Sequence, residues 1–328
     1  MWNLEDVQDD ILPFLKLEEG TGSTLLDTII GNRKIRFGSV PCDSNVEFLS
    51  NLLESFVVNR SPIEILMMWG AAKGYMPGQA DFFDVMALKR LASLHYNVCR
   101  LYARGISVKL IWEDHTEFLL NGVRDREYEK TMRRLIHRLA LDEIISIVRE
   151  SDLIQDTGQF NASARENASL LLTSEQAKVG WQGEVAWRYY LDRAASEYPD
   201  MEVEARRQKV AEYLGITLAR YQHKLLPTGQ VKASFVPYPQ TVPDAMKRGR
   251  VEYKVKAGKN RNCTMPPWVG FGVLKEDDWT HISVREFRAG CYRHDTVRLN
   301  GIQVPILRDT GQGSVNNDNH TKEELTDG

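Results

Sequence analysis

The stretch between residues 61 and 122 combines two apolar runs with one amphipathic segment, and it constrains the fold more than any other part of the sequence. The run 63–68 is apolar, too short for a helix and followed by a glycine-rich loop, so it predicts a buried strand. Asp81 is a suitable N-cap for a helix whose apolar residues recur at helical spacing until Gly105. A second apolar run, 106–112, predicts another strand. These elements together predict a βαβ unit with parallel strands and a right-handed connection.

Charged side chains follow both of these predicted strands. Lys73 lies in the loop after the first strand, and Glu113, Asp114 and His115 lie in the loop after the second. In open α/β sheets the ligand crevice lies beyond the carboxyl ends of the strands. We therefore expect a lysine, two carboxylates and an imidazole to converge on one site.

The other predicted elements complete an α/β fold. Predicted helices cover 5–17, 46–57, 124–140 and two segments within 183–226, and predicted strands cover 143–148, 231–236, 251–255, 268–274 and a hairpin, 297–306, around Asn300-Gly301. Together they predict a Rossmann-like fold, in which a largely parallel sheet is flanked by helices and a β-rich part begins at about residue 230. We expect a helical lead (1–60), a catalytic domain (61–308) and a disordered tail (309–328).

The composition is that of a globular protein and argues against several functional classes. Apolar residues make up 42% of the chain and charged residues 27%. A net charge of −3 argues against a nucleic-acid-binding protein that works through a general basic field. The four cysteines lack the spacing of zinc ligands, so we predict no metal site and a reducing, cytoplasmic environment. No apolar run reaches membrane-spanning length, and we expect no membrane partner.

Residues at the ends of the predicted strands form a pattern that resembles a known family. The pattern comprises Lys73, Pro77, Asp81, the run 112–118 (WEDHTEF), Gly122-Val123, Arg220, the run 234–237 (SFVP) and Pro267-Trp268. Over about residues 60–275 it remotely resembles the isonitrile (isocyanide) synthase family of the pyoverdine and dityrosine biosynthesis type. The sequence departs from that family at Gly74-Tyr75-Met76 (family Ser-Pro-Asn), at His115 (family Gly), and at Val236 and Val269, which stand at or near two family histidines.

The resemblance implies a Rossmann-like enzyme of specialised metabolism. Members of the family join the amine of an amino acid, usually tyrosine or tryptophan, to the ketone of ribulose 5-phosphate and form an isonitrile. No metal or nicotinamide cofactor is implied. Such chemistry needs an acid/base pair near an imine carbon, and we expect Asp114, Glu113 and His115 to supply it. The alternatives are a carboxylate that caps a neighbouring turn for Asp114 and a hydrogen-bonded spacer for His115.

The same resemblance implies cations that bind the phosphate group of the co-substrate. We expect Lys73, Arg220 and Lys224 to fill this role, and Trp268 to line a pocket for an aromatic substrate, with a place in the core as its alternative. The expected partners are therefore small molecules, an amino acid and a sugar phosphate. Two other functions stay open: a divergent transferase or lyase on the same fold, and a non-catalytic relative that binds a small molecule.

Overall fold

A computed structural model gives the fold of the protein. It describes residues 25–26, 43–71, 73, 78–122, 124–174, 183–226, 229–234, 248–252, 255–256, 262–263, 271–275, 278–299 and 301–311. The described helices are α1 (Asp43–Val58), α2 (Phe82–Cys99), α3 (Asp114–Asn121), α4 (Arg126–Arg138), α5 (Glu150–Leu153), α6 (Thr157–Thr173), α7 (Gly183–Glu197), α8 (Val203–Gln222) and α9 (Val284–Ala289). The described strands are β1 (Ile63–Trp69), β2 (Ile106–Trp112), β3 (Ile145–Arg149), β4 (Val231–Ser234), β5 (Arg250–Glu252), β6 (Val255–Lys256), β7 (Asn262–Cys263), β8 (Phe271–Lys275), β9 (Asp278–Ile282), β10 (Tyr292–Leu299) and β11 (Ile302–Asp309).

Strands β1 to β5 form one parallel sheet in the order β3-β2-β1-β4-β5. The predicted βαβ unit is confirmed, because β1 and β2 pair in parallel from Ile63 opposite Ile106 to Trp69 opposite Trp112, with α2 between them. The chain order reverses at β1, with β2 and β3 on one side and β4 and β5 on the other. A ligand crevice in such a sheet lies beyond the carboxyl ends of the strands at this reversal.

The start of α2 is fixed by a reciprocal pair of hydrogen bonds. The side chain of Asp81 accepts from the backbone N of Phe83 at 2.8 Å and of Asp84 at 3.2 Å, and the side chain of Asp84 accepts from the backbone N of Asp81 at 2.9 Å. This capping box satisfies donors that a helix N-terminus otherwise leaves open. The helix then buries Val85 and Leu88 in the main core against the sheet.

Helices α6 and α8 pack closely enough to exclude a side chain at their crossing. A Cβ atom at Gly215 would lie 2.8 Å from the backbone N of Ala168 and would also meet the carbonyl oxygen of Ala164. Near this crossing, the side chain of buried Asn167 donates a hydrogen bond to Oε1 of Gln222 at 3.0 Å. The tight crossing fixes α8 against α6, and α8 carries one of the predicted site residues in its last turn.

The predicted β-rich C-terminal part is confirmed by a sheet in the order β10-β11-β8-β9. The hairpin predicted from Asn300-Gly301 joins β10 to β11, with Leu299 opposite Ile302. Gly301 has φ +81°, a left-handed conformation that favours glycine in a two-residue turn. Val304 and Ile306 of β11 extend into the same core as β1 and β2.

Helix α1, from the predicted N-terminal lead, also packs into this core. Leu49 and Leu53 belong to the core cluster. The buried side chain of Asn45 donates to the carbonyl oxygen of Arg250 at 2.8 Å and accepts from the backbone N of Gly249 at 2.6 Å. These bonds attach α1 to the start of β5, while the division of the chain into lead, domain and tail stays a prediction.

Several predicted boundaries differ from the structure. The predicted loop after β2 is instead the helix α3, which begins at Asp114 and ends where Gly122 takes φ +69°. Helix α2 ends at Cys99, because the chain turns before Gly105. Of the strand predicted over 251–255, residues 251–252 belong to β5 of the parallel sheet, Val255 belongs to β6 of a different sheet, and residues 253–254 lie outside the described residues. Helices α5, α6 and α9 and strands β7 and β9 were not predicted. All except α6 are short, and α6 has a polar sequence without a clear apolar period.

Some predictions fall on residues that the structure does not describe. These are the helix 5–17, the start of the strand 268–274, and residues 312–328 of the tail, whereas β11 itself extends to Asp309. Within the described ranges, no helix combines the length and the apolar character needed to cross a membrane.

Candidate functional site

The carboxyl ends of β1 and β2 are joined by a backbone hydrogen bond, from the N of Glu113 to the carbonyl oxygen of Trp69 at 2.9 Å. Glu113 is the first residue after β2 and the N-cap of α3. It lies at the edge where the topology of the sheet places a ligand. Glu113 thus directly follows β2, as the sequence indicated, although a helix rather than a loop comes next, and its role in a site stays a prediction.

Arg220, in the last turn of α8, is buried between two glutamates. Its Nε atom donates to Oε1 of Glu150 at 2.6 Å, and its Nη2 atom donates to Oε1 of Glu113 at 2.7 Å and to Oγ1 of Thr116 at 2.6 Å. Thr116 donates from its backbone N and its hydroxyl to Oε2 of Glu150, at 2.9 and 2.7 Å. We call these four residues the Arg220 network. It ties the carboxyl ends of β2 and β3 to α3 and α8.

Burial and charge shift the proton affinities within the Arg220 network. Burial raises the pKa of Glu113, an effect that Arg220 opposes and the nearby Glu150 carboxylate reinforces. Burial works against the charge of Arg220, but Glu150 and Glu113 more than offset it and hold the pKa of Arg220 above its ordinary value. Two carboxylates share one guanidinium, so the network has one surplus negative charge when both are ionised. A raised pKa makes the Glu113 carboxylate a stronger base than an ordinary glutamate.

Lys73 lies in a second buried group at the end of β1, only 1% exposed. Its Nζ atom is 2.7 Å from Oδ1 of Asp81 and 2.6 Å from Oδ2 of Asp84. Tyr128 of α4 donates its hydroxyl to Oδ1 of Asp84 at 2.8 Å and accepts from Nε1 of Trp69 at 3.2 Å. We call these five residues the Lys73 network. Its lysine has two carboxylate partners and lies inside the protein.

The Lys73 network also contains displaced pKa values. Burial opposes the charge of Lys73, but Asp81 and Asp84 more than offset it and raise the lysine's pKa. Burial raises the pKa of Asp84 to about 6, against the opposing effect of Lys73. Burial and the Asp84 charge raise the pKa of Tyr128 well above its ordinary value. The network therefore holds its tyrosine as a neutral hydrogen-bond donor and has one carboxyl group that titrates close to neutral pH.

Asp114 and His115 follow Glu113 in the chain but have local partners on neighbouring helices. Asp114 accepts from the backbone N of Ser151 at 3.0 Å and from its hydroxyl at 2.6 Å. His115 is buried, with Nε2 at 2.7 Å from Oδ1 of Asn161 and its ring edge-on to Phe160 at 5.6 Å. These contacts fit the alternatives of a capping carboxylate and a hydrogen-bonded spacer. The catalytic roles of both residues stay predictions.

Two further predicted residues, Lys224 and Trp268, are not part of the networks as described. Lys224 is exposed and lies just beyond α8 with φ +52°. Trp268 falls outside the described residues. The predicted residues that the structure brings into direct contact are Glu113 and Arg220, whereas Lys73 belongs to the separate buried group at the end of β1.

Sequence reasoning missed several members of the two networks. Glu150 directly follows β3, so the argument that drew attention to Glu113 after β2 also applies to it. Asp84 stands three residues after the N-cap of α2, where its charge fits a helix start without any function. Tyr128 lies within the helix predicted over 124–140, but nothing in the sequence pairs it with Asp84. Among the residues that the structure describes, no group of three or more His, Cys, Asp or Glu side chains is placed to hold a metal ion.

No protein-family model matches the sequence. A comparison with curated protein sequences finds no match either. The structure is similar to the crystal structure of the PvcA protein from Pseudomonas aeruginosa, with a TM-score of 0.56 and 15% identity over 93% of this chain and 99% of that one. Two other structures are less similar. A tyrosyl-tRNA synthetase from Archaeoglobus fulgidus matches with a TM-score of 0.40 and 13% identity over 71% of this chain and 63% of that one. A cyclo(L-leucyl-L-phenylalanyl) synthase matches with a TM-score of 0.32 and 13% identity over 65% of this chain and 95% of that one. The resemblance predicted from the strand-end residues thus holds at the level of the fold, and this chain has the fold of PvcA over nearly its whole length.

Proposed function

We propose that the protein is a biosynthetic enzyme of specialised metabolism that binds a free amino acid beyond the carboxyl ends of β1 and β2 and modifies its amine. The finer proposal is a condensation with the ketone of a sugar phosphate such as ribulose 5-phosphate. In that step the amine nitrogen bonds to the carbonyl carbon, and loss of one water molecule leaves an imine. The shared fold with PvcA supports the first statement. The residues that resemble the isonitrile synthase family support the second.

The observation that carries the proposal is the Arg220 network at the carboxyl edge of the sheet. A condensation of an amine needs a group that removes protons from nitrogen and returns one to the departing oxygen. Glu113 is buried, lies at this edge and has a raised pKa. Displaced pKa values in a cleft are more frequent at functional sites than elsewhere. Glu113 is therefore the proposed acid/base residue, ahead of Asp114 and His115, whose contacts lie toward α5 and α6.

A non-catalytic relative that binds the same amino acid is the second candidate. The hydrogen bonds of Asp114 to Ser151 and of His115 to Asn161 favour this candidate. Because these side chains already have partners, few side chains in the described part of the site are available to a substrate. The two candidates predict the same binding but differ in turnover. A divergent transferase or lyase would use the amino acid with a different co-substrate.

The test is turnover by the purified full-length protein. It is incubated with L-tyrosine, L-tryptophan or L-leucine together with ribulose 5-phosphate, and reduction with cyanoborohydride traps any imine for mass spectrometry. We expect an enzyme-dependent product whose mass equals the two substrates minus water plus two hydrogens. Reactions that lack protein or either substrate give the chemical background.

Glu113→Gln tests the assigned residue, and Glu117→Gln is its matched control, since it makes the same change one turn along α3. We expect the first variant to lose at least about 100-fold in rate, within the range typical of a missing general acid or base, and the second to keep its activity. Amino-acid binding without turnover by the wild type, under any of these conditions, would favour the non-catalytic relative. Turnover of the amino acid without a sugar phosphate would favour the transferase or lyase.

A further inference from the structure

The two buried networks at the carboxyl edge contain more carboxylates than cations. Lys73 is paired with two aspartates and Arg220 with two glutamates, so the networks hold two cations against four carboxyl groups. Neither cation has charge to spare for an anionic ligand. Building on the proposed function, we infer that this edge selects a cation, and that Glu113 is the residue that binds the ammonium group of the amino acid.

Glu113 is singled out because the other glutamate of the Arg220 network is already satisfied. Glu150 accepts three hydrogen bonds, from Nε of Arg220 and from the backbone N and hydroxyl of Thr116. The negative charge of Glu150 alone balances the positive charge of the Arg220 guanidinium. Glu113 is the additional carboxylate, and it is 6% exposed.

The carboxylate of Glu113 has acceptor capacity left. An ionised carboxylate offers about four acceptor sites on its two oxygens. Within the described ranges, the side chain of Glu113 has one hydrogen-bond partner, Arg220, at its Oε1 atom. A buried carboxylate with so few partners is costly for the fold, unless a ligand supplies the missing charge and donors. An ammonium group supplies one positive charge and three donors.

Two half-buried tyrosines lie near Glu113, and the buried guanidinium of Arg250 acts on both of them. The charge of Glu113 acts on Tyr213 of α8 and, after burial, contributes most to raising that tyrosine's pKa. The ring of Tyr213 lies 5.9 Å from the ring of Tyr190 on α7. Tyrosine faces attract ammonium groups and pack against apolar or aromatic side chains. Glu113 and these rings therefore match the amine and the side chain of an amino acid, respectively.

Isothermal titration calorimetry with named probes tests this inference. The probes are L-tyrosine, L-tryptophan, L-leucine, tyramine, and 3-(4-hydroxyphenyl)propanoate, which lacks the amine. We expect the wild type to bind at least one amino acid or tyramine and to bind the compound without an amine at least tenfold more weakly. Glu113→Gln should weaken amine binding at least tenfold, whereas Glu117→Gln should leave the Kd within twofold.

The outcomes separate this inference from the proposed function. If amino acids bind Glu113→Gln as tightly as the wild type, Glu113 is not the ammonium site, and the proposed function is untouched. If tyramine binds through Glu113 but no amino acid does, the ammonium site stands and the amino-acid function fails. If no amine binds the wild type, or if the compound without an amine binds equally well, the inference is overturned.

Thermal unfolding without ligand distinguishes a binding residue from a purely structural one. Glu113→Gln removes the surplus charge and leaves Arg220 paired with Glu150, so we expect its Tm to equal or exceed that of the wild type. Glu150→Gln removes the glutamate with the most hydrogen bonds and should lower the Tm. A fall in the Tm of Glu113→Gln as large as that of Glu150→Gln would show that Glu113 is retained for the fold alone, and would contradict the inference.

Discussion

Asp84 and Glu113 are two buried carboxyl groups whose pKa values are raised. In both residues burial is the largest effect, and it raises the pKa against the opposing attraction of a partner, Lys73 for Asp84 and Arg220 for Glu113. Removing charges from water costs several kcal/mol per ion, which a paired cation only partly restores. The raised pKa means that the ionised form of each group stabilises the fold less than its protonated form does.

Asp84 gives the protein a predicted pH dependence with a definite sign. Its pKa is raised from 3.8 to about 6 in the folded state, so the folded protein binds this proton more tightly than the unfolded chain does. The free energy of unfolding that Asp84 contributes should therefore be highest below its unfolded pKa and should fall as the pH rises through the folded value. Asp84→Asn does not titrate and should lack this dependence.

Urea unfolding of the wild type and of Asp84→Asn between about pH 4 and pH 7 measures this dependence. We expect the wild type minus variant difference in the free energy of unfolding to decrease as the pH rises. The variant itself should be less stable at every pH, because its amide nitrogen must replace one of the two acceptor oxygens. One of these faces Lys73 and the backbone N of Asp81, and the other accepts from the Tyr128 hydroxyl. A difference that grows with pH would show that Asp84 has a lowered pKa, and a constant one that its pKa does not change on folding.

The sequence predicted several site residues from their positions and residue types, but it did not predict their ion-pair partners. Glu113 and Arg220 were predicted as site residues, and the structure brings them together. Lys73 and Arg220 were expected to bind a phosphate, yet each has two carboxylate partners within 2.7 Å. These partners lie up to 107 positions away in the chain, and no local pattern indicates such pairs. Their roles toward a substrate stay predictions.

At the scale of elements, the crossing of α6 and α8 controls where Arg220 lies. Gly215 allows the two helices to touch through backbone atoms, and α8 continues from there to Arg220. Displacing α8 would move the guanidinium relative to Glu113 and Glu150. The close crossing is therefore expected to matter for the site as well as for stability.

Gly215→Ala tests this crossing. Its Cβ would clash with backbone atoms of Ala164 and Ala168. Backbone atoms within a helix cannot change rotamer as a side chain can, so α8 must shift. Overpacking of this kind usually costs about 1–3 kcal/mol. Gly158→Ala in the first turn of α6 is the control, because its Cβ would meet only a carboxylate oxygen of Asp156, at 3.3 Å, and we expect a change within about 1 kcal/mol. Equal stability of the two variants in urea unfolding would contradict the predicted role of the crossing.

Elements with a strong apolar period were predicted well, whereas short elements and the polar helix α6 were not. The run of apolar and β-branched residues predicted β1 and β2, and Asp81 predicted the start of α2. Helix α3 has only eight residues and begins directly after β2, where a loop was expected. Its formation depends on tertiary bonds, such as those from Ser151 to Asp114 and from Thr116 to Glu150, which local propensity does not include.

At the scale of the whole molecule, strand order determines where chemistry can occur. The pattern of strands and helices predicted a parallel Rossmann-like sheet, and the structure confirms it. The pattern did not predict that β4 lies beside β1, because about 160 residues and several helices separate them. Pairing of β4 with β1 creates the reversal of strand order at β1, and sheets of this type have their ligand crevice at such a reversal.

The measurement that most directly tests the central claim, an amino-acid site with a surplus of negative charge, is thermal unfolding of the wild type against amino acids and sugar phosphates. A ligand at one hundred times its Kd should add about 2.7 kcal/mol of apparent stability. We predict stabilisation by at least one free amino acid, and none by ribulose 5-phosphate alone, because Lys73 and Arg220 are already paired with carboxylates. Stabilisation by the sugar phosphate without an amino acid, or by no amino acid at all, would contradict the claim.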